Sequence, residues 1–500
     1  MLTVGVVGAG TMGSGIAQVA IAAGENVKLF DPFPETIERG RSMIDENLNF
    51  LVSKGKLTAE ESTQTLARLE VVDSIEDLVG CDLVIEAIIE NESIKKELFR
   101  NLETIISSDA ILATNTSSIS ITALSNELNH PERLVGMHFF NPAPRMKLVE
   151  VIRGLRTSEK SIDDIVELSK RWGKAPVTAN STPGFIVNRV ARPFYGEALR
   201  VLMEKGIDHS SLDRVVRECG GFPLGPCQLM DLIGLDVNLS VTQTVYEATA
   251  YDPRYAPSLL QQELVRAGKL GRKTGEGFYT YPVETTKDQV CDKNGEQVTS
   301  DNGPVGIVLN RLTESLKSRL FDSGYQVIES TSSTDIPTIA MSDGRTATQR
   351  SHDESIKNLI LIDLCVDFKT TKRLALTHSA QCTQEALGHI LSVLQKTGFL
   401  VTVMRDIAGM ILTRTVAMLA NEAADLVHQE VTSPKDVDMA MTLGTGYPLG
   451  PLSWADKIGL ETISEILTNL CAHYGSARYR ISPILQKKSA SNELFHGIDK

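Results

Sequence analysis

The chain has 500 residues, of which 42% are hydrophobic and 23% are charged, and its net charge is −13. This length allows about three globular domains, and the acidic balance without a lysine- and arginine-rich segment argues against nucleic acid as a partner. Seven cysteines without metal-ligand spacing favour reduced thiols over disulfides or a metal site. No run is long and apolar enough for a membrane span, and the N-terminus lacks the basic segment of a signal peptide, so we expect a cytoplasmic protein.

The N-terminal part of the chain alternates short apolar runs with patterns typical of amphipathic helices. Such alternation predicts a mostly parallel sheet that helices cover on both faces. The predicted strands lie at 4–7, 27–30, 82–86, 111–114 and 134–138. The predicted helices lie at 11–23, 35–52, 58–68 and 91–106.

Strand signals largely disappear after residue 155, where helical periodicity takes over. We expect a helical domain at 183–282 and a polar linker at 283–303. The run at 304–400 is typical of a strand–helix–strand unit, which indicates a degenerate Rossmann-like segment without its glycines. The predicted helices of this region lie at 162–173, 183–205, 208–219, 225–248 and 311–322.

The C-terminal part of the chain repeats the helical domain. Segment 183–236 aligns with 408–461 without a gap, and the alignment gives 15 identities in 54 positions. Chance gives about one identity in twenty, so we interpret 401–500 as a second copy. Asn188 corresponds to Thr413, and no glycine-rich turn precedes the second copy. The second half is therefore expected to retain the fold without the chemistry.

A glycine-rich turn follows the first predicted strand and opens the helix after it, with the sequence Gly8-Ala9-Gly10-Thr11-Met12-Gly13. The first glycine permits a tight turn, the second lets the backbone approach a pyrophosphate, and the third lets helix and strand pack closely. Phosphates would then meet the N–H groups and the positive dipole of the helix N-terminus. The context favours a dinucleotide site over the alternative, a tight turn without a ligand.

Asp31 ends the second predicted strand, one helix after the glycine-rich turn. A carboxylate in this place would accept hydrogen bonds from the adenine ribose hydroxyls and would repel the 2′-phosphate of NADP. Pro32 and Phe33, which follow, offer no arginine to compensate. We therefore expect NAD as the cofactor. For Asp31 alone, a helix cap or a surface role is the alternative.

His138 and Glu150 are candidates for acid–base chemistry. Oxidation of an alcohol by hydride transfer needs a base for the hydroxyl proton, and histidine titrates near neutral pH. Such a base needs an acceptor on its other ring nitrogen, and Glu150 lies in an apolar run where a lone carboxylate is costly. His130 lies in a run typical of a surface turn. From the residues alone, a buried core histidine stays the alternative for His138.

Several segments together resemble the 3-hydroxyacyl-CoA dehydrogenase family over about residues 1–280. They are the glycine-rich turn, Asn115-Thr116-Ser117-Ser118, His138-Phe139-Phe140-Asn141-Pro142 with Glu150, Thr182-Pro183-Gly184-Phe185-Ile186-Val187-Asn188-Arg189, and Lys273-Thr274-Gly275-Glu276-Gly277-Phe278-Tyr279. The resemblance implies an α/β Rossmann NAD-binding domain at 1–182, followed by an all-α helical domain like that of 6-phosphogluconate dehydrogenase, here duplicated at the C-terminus.

The resemblance also implies the reaction, which is NAD-dependent oxidation of an (S)-3-hydroxyacyl-CoA to the 3-oxoacyl-CoA. The long form with a second helical copy is similar to bacterial members that act on 3-hydroxyadipyl-CoA or 3-hydroxybutyryl-CoA in phenylacetate or fatty acid degradation. A terminal carboxylate on the acyl chain would need a cation, for which Arg145, Arg189 and Arg192 are unranked candidates.

The resemblance further implies roles for individual residues. His138 would be the catalytic base, Glu150 would pair with it, and Ser117 and Asn188 would hold the substrate hydroxyl and thioester region. Lys54 would meet the CoA phosphates, with Lys56 as the alternative. The NAD site would comprise Gly8, Gly10, Thr11, Met12, Gly13, Asp31, Glu90, Lys95, Asn141 and Lys273.

Other functions stay open as alternatives. A non-catalytic NAD-binding protein would keep the fold for a structural role, and a β-hydroxyacid dehydrogenase acting on free acids would rely on a lysine where this chain carries His138. A fatty-oxidation multienzyme would need a hydratase region before the glycine-rich turn. Single-copy relatives dimerise through the helical domain, so the second copy would supply that contact within one chain; a homo-oligomer is the other option.

Overall fold

The computed structural model describes residues 1–282, 303–329 and 335–497. By its contacts the chain divides into two compact units. Unit 1 comprises Met1–Val187 and Gln429–Thr445, and unit 2 comprises Asn188–His428 and Gly446–Lys500. The linker predicted at 283–303 lies, apart from its last residue, outside the described residues, and the domain boundaries inferred from the sequence stay a prediction.

Unit 1 is built on an eight-stranded, mostly parallel sheet. Its strands are β1 (Thr3–Val7), β2 (Asn26–Phe30), β3 (Leu69–Val71), β4 (Leu83–Glu86), β5 (Ile111–Thr114), β6 (Leu134–Phe139), β7 (Leu148–Arg153) and β8 (Ala175–Asn180). The order is β3-β2-β1-β4-β5-β6-β7-β8, and β7 runs antiparallel to β6. The order reverses between β1 and β4, which places a crevice at the carboxyl ends of these strands.

Helices cover this sheet and bury its apolar strands, including Val4, Val6 and Ile85. They are α1 (Thr11–Ala22), α2 (Pro34–Ser53), α3 (Ala59–Leu66), α4 (Glu92–Ile105), α5 (Ile121–Ser125) and α6 (Glu159–Arg171). The sequence did not predict β3, β7 or β8 as strands, and the residues of β7 were noted only as an apolar run around Glu150. β3 is very short, and β8 is a half-buried strand that contains Pro176, so neither shows a strong apolar alternation.

Unit 2 begins with the first helical copy. Its elements are α7 (Val187–Val190), whose first residue still belongs to unit 1, then α8 (Arg192–Met203), α9 (His209–Glu218), α10 (Pro226–Ile233), α11 (Leu235–Ala248) and α12 (Leu259–Arg266). Within the described residues of the whole chain, no helix is long and apolar enough to cross a membrane.

A six-stranded sheet follows in unit 2. Its elements are β9 (Val305–Ile307), α13 (Glu314–Asp322), β10 (Val327–Glu329), β11 (Thr338–Met341), α14 (Ala347–Glu354), β12 (Leu359–Ile362), β13 (Arg373–His378), α15 (Gln384–Lys396) and β14 (Leu400–Val403). The order is β10-β9-β11-β12-β13-β14, with β13 antiparallel to β12. The first three elements coincide with the predicted strand–helix–strand, whereas β11 to β14 were not predicted.

The second helical copy completes the chain. Its helices are α16 (Leu412–His428), α17 (Pro434–Thr445), α18 (Pro451–Ile458), α19 (Leu460–Tyr474) and α20 (Pro483–Ser491). In the alignment of the two copies, α17, α18 and α19 begin at the positions that correspond to the starts of α9, α10 and α11. α17 belongs to unit 1, and the other helices of the copy belong to unit 2.

Within unit 2, buried arginines of each helical copy hold a glutamate of the other copy. The ion pairs are Arg189 and Arg254 with Glu422, and Arg414 and Arg478 with Glu197. Burial alone would raise the pKa of Glu197, but Arg478 and Arg414 outweigh it and lower that pKa to about 2. The reciprocal exchange is the pattern that two-fold symmetry produces, here between two copies in one chain.

Candidate active site

The glycine-rich turn joins β1 to α1 and leaves room for a ligand beside it. Gly8 has a φ of 102°, and a Cβ at Gly13 would overlap the carbonyl oxygen of Gly8. In contrast, a Cβ at Gly10 would meet no atom within 4 Å. α1 has no side-chain cap and no acidic residue in its first turn, so its first N–H groups remain available to an anion.

Asp31 lies directly beside this turn. The Ala9 N–H donates to Asp31 Oδ2 at 2.9 Å, and the Phe33 N–H donates to Oδ1 at 3.0 Å. The carboxylate keeps further lone pairs for the hydroxyls of a ribose. The open space at Gly10, the uncapped helix and the adjacent carboxylate therefore fit the pyrophosphate and ribose of NAD.

His138 on β6 and Glu150 on β7 are direct neighbours across the antiparallel strands. His138 Nδ1 lies 2.6 Å from Glu150 Oε2. A carboxylate only accepts, so Nδ1 carries the proton and Nε2 presents its lone pair. Among the residues that the structure describes, Nε2 has no hydrogen-bond partner. The pair is therefore arranged as a histidine base with its orienting carboxylate.

Glu150 is fully buried, and both its oxygens are satisfied. Oε1 accepts hydrogen bonds from the N–H groups of Ile186 at 3.1 Å and Val187 at 2.9 Å. These bonds offset the cost of burying the carboxylate. The rings of Phe140 and Phe185 lie against the His138 ring, with centroids 4.6 Å and 5.9 Å away. The imidazole is thus held on one side by the carboxylate and flanked by apolar rings.

Glu90 accepts hydrogen bonds from the segment that contains Ser117. Its Oε1 accepts hydrogen bonds from the hydroxyls of Thr116 at 2.7 Å, Ser117 at 3.3 Å and Ser118 at 2.9 Å. Its Oε2 lies 2.8 Å from Lys95 Nζ. Burial alone would raise the pKa of Glu90, but Lys95 and the hydroxyls outweigh it and lower the pKa to about 2. Glu90 is therefore ionised and paired with the Lys95 ammonium. No hydrogen bond joins Ser117 to His138 among the described residues.

The other predicted ligands of unit 1 lie at the surface. Asn141 is exposed in the loop after β6. Lys54 is exposed at the end of α2, with its ammonium 5.5 Å from the Phe50 ring centroid, and Lys56 is exposed shortly after it. The structure does not separate these two lysines as phosphate ligands.

Two predicted site residues belong to unit 2. Asn188 lies in α7, and its carbonyl oxygen accepts a hydrogen bond from Arg192 Nε at 2.7 Å. Lys273 Nζ lies 2.5 Å from Asp236 Oδ1. Their roles toward substrate and NAD stay predictions.

The second half lacks the histidine–glutamate pair. When the alignment of the two copies is continued toward the N-terminus without a gap, His138 and Glu150 correspond to Asp363 and Ala375. Asp363 directly follows β12, and its N–H donates to the Ala375 carbonyl on β13. The Asp363 carboxylate accepts three backbone N–H groups at the N-terminus of α16, at 2.7–3.0 Å. An aspartate thus caps the helix at the position that corresponds to the candidate base of the first half, and the absence of chemistry from the second half stays a prediction.

Sequence reasoning assigned no role to several residues of this site. Thr116 and Ser118 were noted only as neighbours of Ser117, and Phe140 and Phe185 only as parts of motifs. Glu86 ends the apolar strand β4 and lies 2.9 Å from Lys95 Nζ. The sequence did carry a signal for this buried ion pair, which was a charged residue at the end of an otherwise apolar strand.

Models of one protein family match most of the chain. The model described as 3-hydroxyacyl-CoA dehydrogenase, NAD binding domain, matches residues 3–182. The model described as 3-hydroxyacyl-CoA dehydrogenase, C-terminal domain, matches twice, at 184–281 and 409–496. A model described as 3-hydroxybutyryl-CoA dehydrogenase reduced Rossmann-fold domain matches 339–407. The predicted fold class, a Rossmann NAD-binding domain followed by a helical domain, is confirmed, and the double match agrees with the duplication.

Individual proteins show the same similarity. The 3-hydroxyadipyl-CoA dehydrogenase of Escherichia coli K12 is 42% identical over 487 residues, which cover 97% of each chain. A crystal structure of 3-hydroxybutyryl-CoA dehydrogenase from Escherichia coli K12 is 40% identical, with a TM-score of 0.88, and covers 98% of both chains. A crystal structure of (S)-3-hydroxybutyryl-CoA dehydrogenase from Ralstonia eutropha is 43% identical, with a TM-score of 0.55, and covers 56% of this chain and 99% of that one.

Proposed function

We propose that this chain, which belongs to the 3-hydroxyacyl-CoA dehydrogenase family, oxidises the 3-hydroxyl of an (S)-3-hydroxyacyl-CoA with NAD and uses His138 as its general base. The observation that carries the proposal is the buried contact between His138 and Glu150. NAD, when bound, supplies the acceptor for the hydride that leaves C3 of the substrate.

In this proposal His138 takes the hydroxyl proton. The Nδ1–H of His138 donates a hydrogen bond to Glu150, which fixes the tautomer and leaves the Nε2 lone pair for the proton to be removed. The imidazolium that forms lies beside a buried carboxylate, whose negative charge stabilises it. A base of this kind contributes about 10²–10⁴-fold to the rate.

The remaining predicted residues bind the two reactants. Ser117 donates its hydroxyl proton to Glu90 and so keeps its lone pairs for the substrate hydroxyl, while Asn188 would hold the thioester region and Lys54 the CoA phosphates. The NAD site would comprise the glycine-rich turn, with Gly8, Gly10, Thr11, Met12 and Gly13, together with Asp31, Glu90, Lys95, Asn141 and Lys273.

The acyl chain would be 3-hydroxyadipyl or 3-hydroxybutyryl, since the relatives that cover the whole chain carry these names. Among the three arginines considered for a terminal carboxylate, Arg189 is paired with Glu422 and Arg192 binds the Asn188 carbonyl. Arg145 is exposed on the loop after the base. It is therefore the arginine that we propose for a dicarboxylic substrate.

The second helical copy would take the place of a dimer partner. The reciprocal ion pairs on Glu197 and Glu422 support this proposal, because they are buried and join each copy to the other. Size-exclusion chromatography with light scattering on the full chain would give a monomer. A stable dimer would contradict the proposal. A cytoplasmic location stays a prediction of the sequence.

The first experiment measures NADH formation with (S)-3-hydroxybutyryl-CoA, 3-hydroxyadipyl-CoA and free 3-hydroxybutyrate. The variants are His138→Ala and, as a matched control, His130→Ala, whose exposed ring pairs with Glu132 at the surface. We expect turnover of a thioester by the wild type and by the control, and a loss of at least about 10²-fold in kcat for His138→Ala. Turnover of the free acid alone would refute the substrate class, and full activity of His138→Ala would refute the base.

A further inference from the structure

The second helical copy reaches the sheet that carries the histidine–glutamate pair. The segment Gln429–Thr445, which includes α17, belongs to unit 1. The Asn180 N–H on β8 donates to the Val431 carbonyl at 2.8 Å, and Thr432 Oγ1 donates to the Thr178 carbonyl at 2.6 Å. β8, the strand next to β7, is therefore hydrogen-bonded to a segment of the second helical copy.

Gly444 of α17 lies against three residues in the surroundings of the pair. A Cβ at Gly444 would lie 2.7 Å from Leu148 Cδ2, 3.2 Å from Val187 Cγ2 and 3.9 Å from Phe140 Cε1. Leu148 shares β7 with Glu150, the Val187 N–H donates to Glu150 Oε1, and the Phe140 ring lies on the His138 ring. A side chain at position 444 would therefore press on the surroundings of both His138 and Glu150.

The repeat shows that this glycine is not required by the helix itself. The corresponding residue of the first copy is Cys219, at the end of the helix that faces the second half. Its thiol donates to the Arg373 carbonyl on β13, at 3.2 Å, so a side chain is accommodated there. The copy that faces the pair thus carries no side chain at this position, which allows the closer approach.

We propose that the second helical copy is a working part of the active site, with Gly444 as a positioning residue that sets the orientation of His138 through Phe140, Leu148 and Val187. The proposal rests on His138 as the general base. Because the interior is close-packed, a methyl group at Gly444 would force the Leu148 side chain to shift and the Val187 side chain to move by a few tenths of an ångström, while it would come into ordinary contact with Phe140. Base catalysis depends on the direction of the Nε2 lone pair, so such a displacement lowers kcat.

The test compares Gly444→Ala with Cys219→Ala in the full chain. Cys219 is the corresponding residue of the first helical copy and lies against β13 of the second half. For Gly444→Ala we expect kcat to fall about tenfold or more, the pH profile of kcat/KM to move on its acid limb, and the KM for NAD to stay unchanged. Cys219→Ala should keep the wild-type kcat. Shortening the neighbour in Gly444→Ala/Leu148→Val should restore most of the lost kcat and return the pH profile to that of the wild type, because it removes the contact with Leu148 Cδ2.

Thermal unfolding of each variant separates positioning from folding. A kcat for Gly444→Ala within twofold of wild type would overturn the inference. So would a loss of kcat that only follows a loss of folded protein, with the pH profile unchanged and no rescue by the second substitution. A wild-type chain that turns over no 3-hydroxyacyl-CoA would instead refute the proposed function, and this inference with it.

Discussion

Replacement of Glu150 by glutamine tests the proposed base most directly, because it changes few atoms and one charge. The Glu150 carboxylate accepts from His138 on one oxygen and from the N–H groups of Ile186 and Val187 on the other. An amide offers one accepting oxygen and one donating nitrogen. It cannot satisfy both sides of this buried position.

The amide has two orientations, and both are costly. If its nitrogen faces His138, the Nδ1 atom must accept and the ring proton moves to Nε2, which removes the base. If its nitrogen faces Ile186 and Val187, buried donors oppose each other, which costs about 1–3 kcal/mol of stability. The first orientation keeps the helix N-terminus satisfied, so we expect it to prevail. The expected loss in kcat is then about 10²–10⁴-fold, which corresponds to about 3–5 kcal/mol in the barrier.

The assay is the rate of NADH formation from the better thioester substrate, together with the melting temperature. Glu132→Gln serves as the matched control, because Glu132 pairs with the exposed His130 at the surface. We expect Glu150→Gln to stay folded, to keep the KM for NAD and to lose kcat, whereas the control should resemble the wild type. A kcat within tenfold of wild type at unchanged stability would refute the assigned tautomer and the role of Glu150.

Four further variants test the structure. Gly10→Ala should keep the melting temperature and raise the KM for NAD about tenfold, because the methyl group fills open space beside the turn. Gly13→Ala should instead lower the melting temperature, because its methyl group would overlap the Gly8 carbonyl oxygen. Initial rates and thermal unfolding distinguish the two variants. Glu197→Gln should cost about 3–5 kcal/mol in urea unfolding near neutral pH. Because the folded pKa is about 2 and the ordinary value 4.5, this difference should be full above pH 4.5 and vanish as the pH falls through about 2; a pH-independent difference would contradict it. His138→Asp with Glu150→Ala, which copies the second half, should be inactive but more stable than Glu150→Ala alone by calorimetry.

The geometry of the glycine-rich turn could be predicted because its signals are local. The glycines of the first turn and Asp31 each have a backbone or charge requirement that can be stated from their place between strand and helix. His138 and Glu150 could be named by residue type and by resemblance, but their spacing along the chain did not show that they touch. Their contact depends on β7 returning antiparallel to β6, which local patterns do not determine.

The parts that escaped prediction depend on partners far away in the sequence. Glu90 is bound by Lys95 and by the segment that contains Ser117. Which partners these polar residues have depends on which strands end side by side in the sheet. β8 is half-buried and gains partners from residues 430–432, so its sequence alone does not mark it as a strand. The placement of α17 in unit 1 could not be predicted either, because the repeat makes it look like any helix of the second copy.

The two halves together separate what the fold requires from what the chemistry adds. Each half buries one carboxylate that accepts backbone N–H groups at the start of a long helical segment, Glu150 in the first half and Asp363 in the second. In the second half that carboxylate stands at the position of His138 itself, and Ala375 fills the position of Glu150. The buried carboxylate is therefore a requirement of this strand–helix junction, since uncapped buried N–H groups are costly. The first half places the carboxylate on the neighbouring strand, directly opposite His138, and His138 takes the position that Asp363 has in the second half.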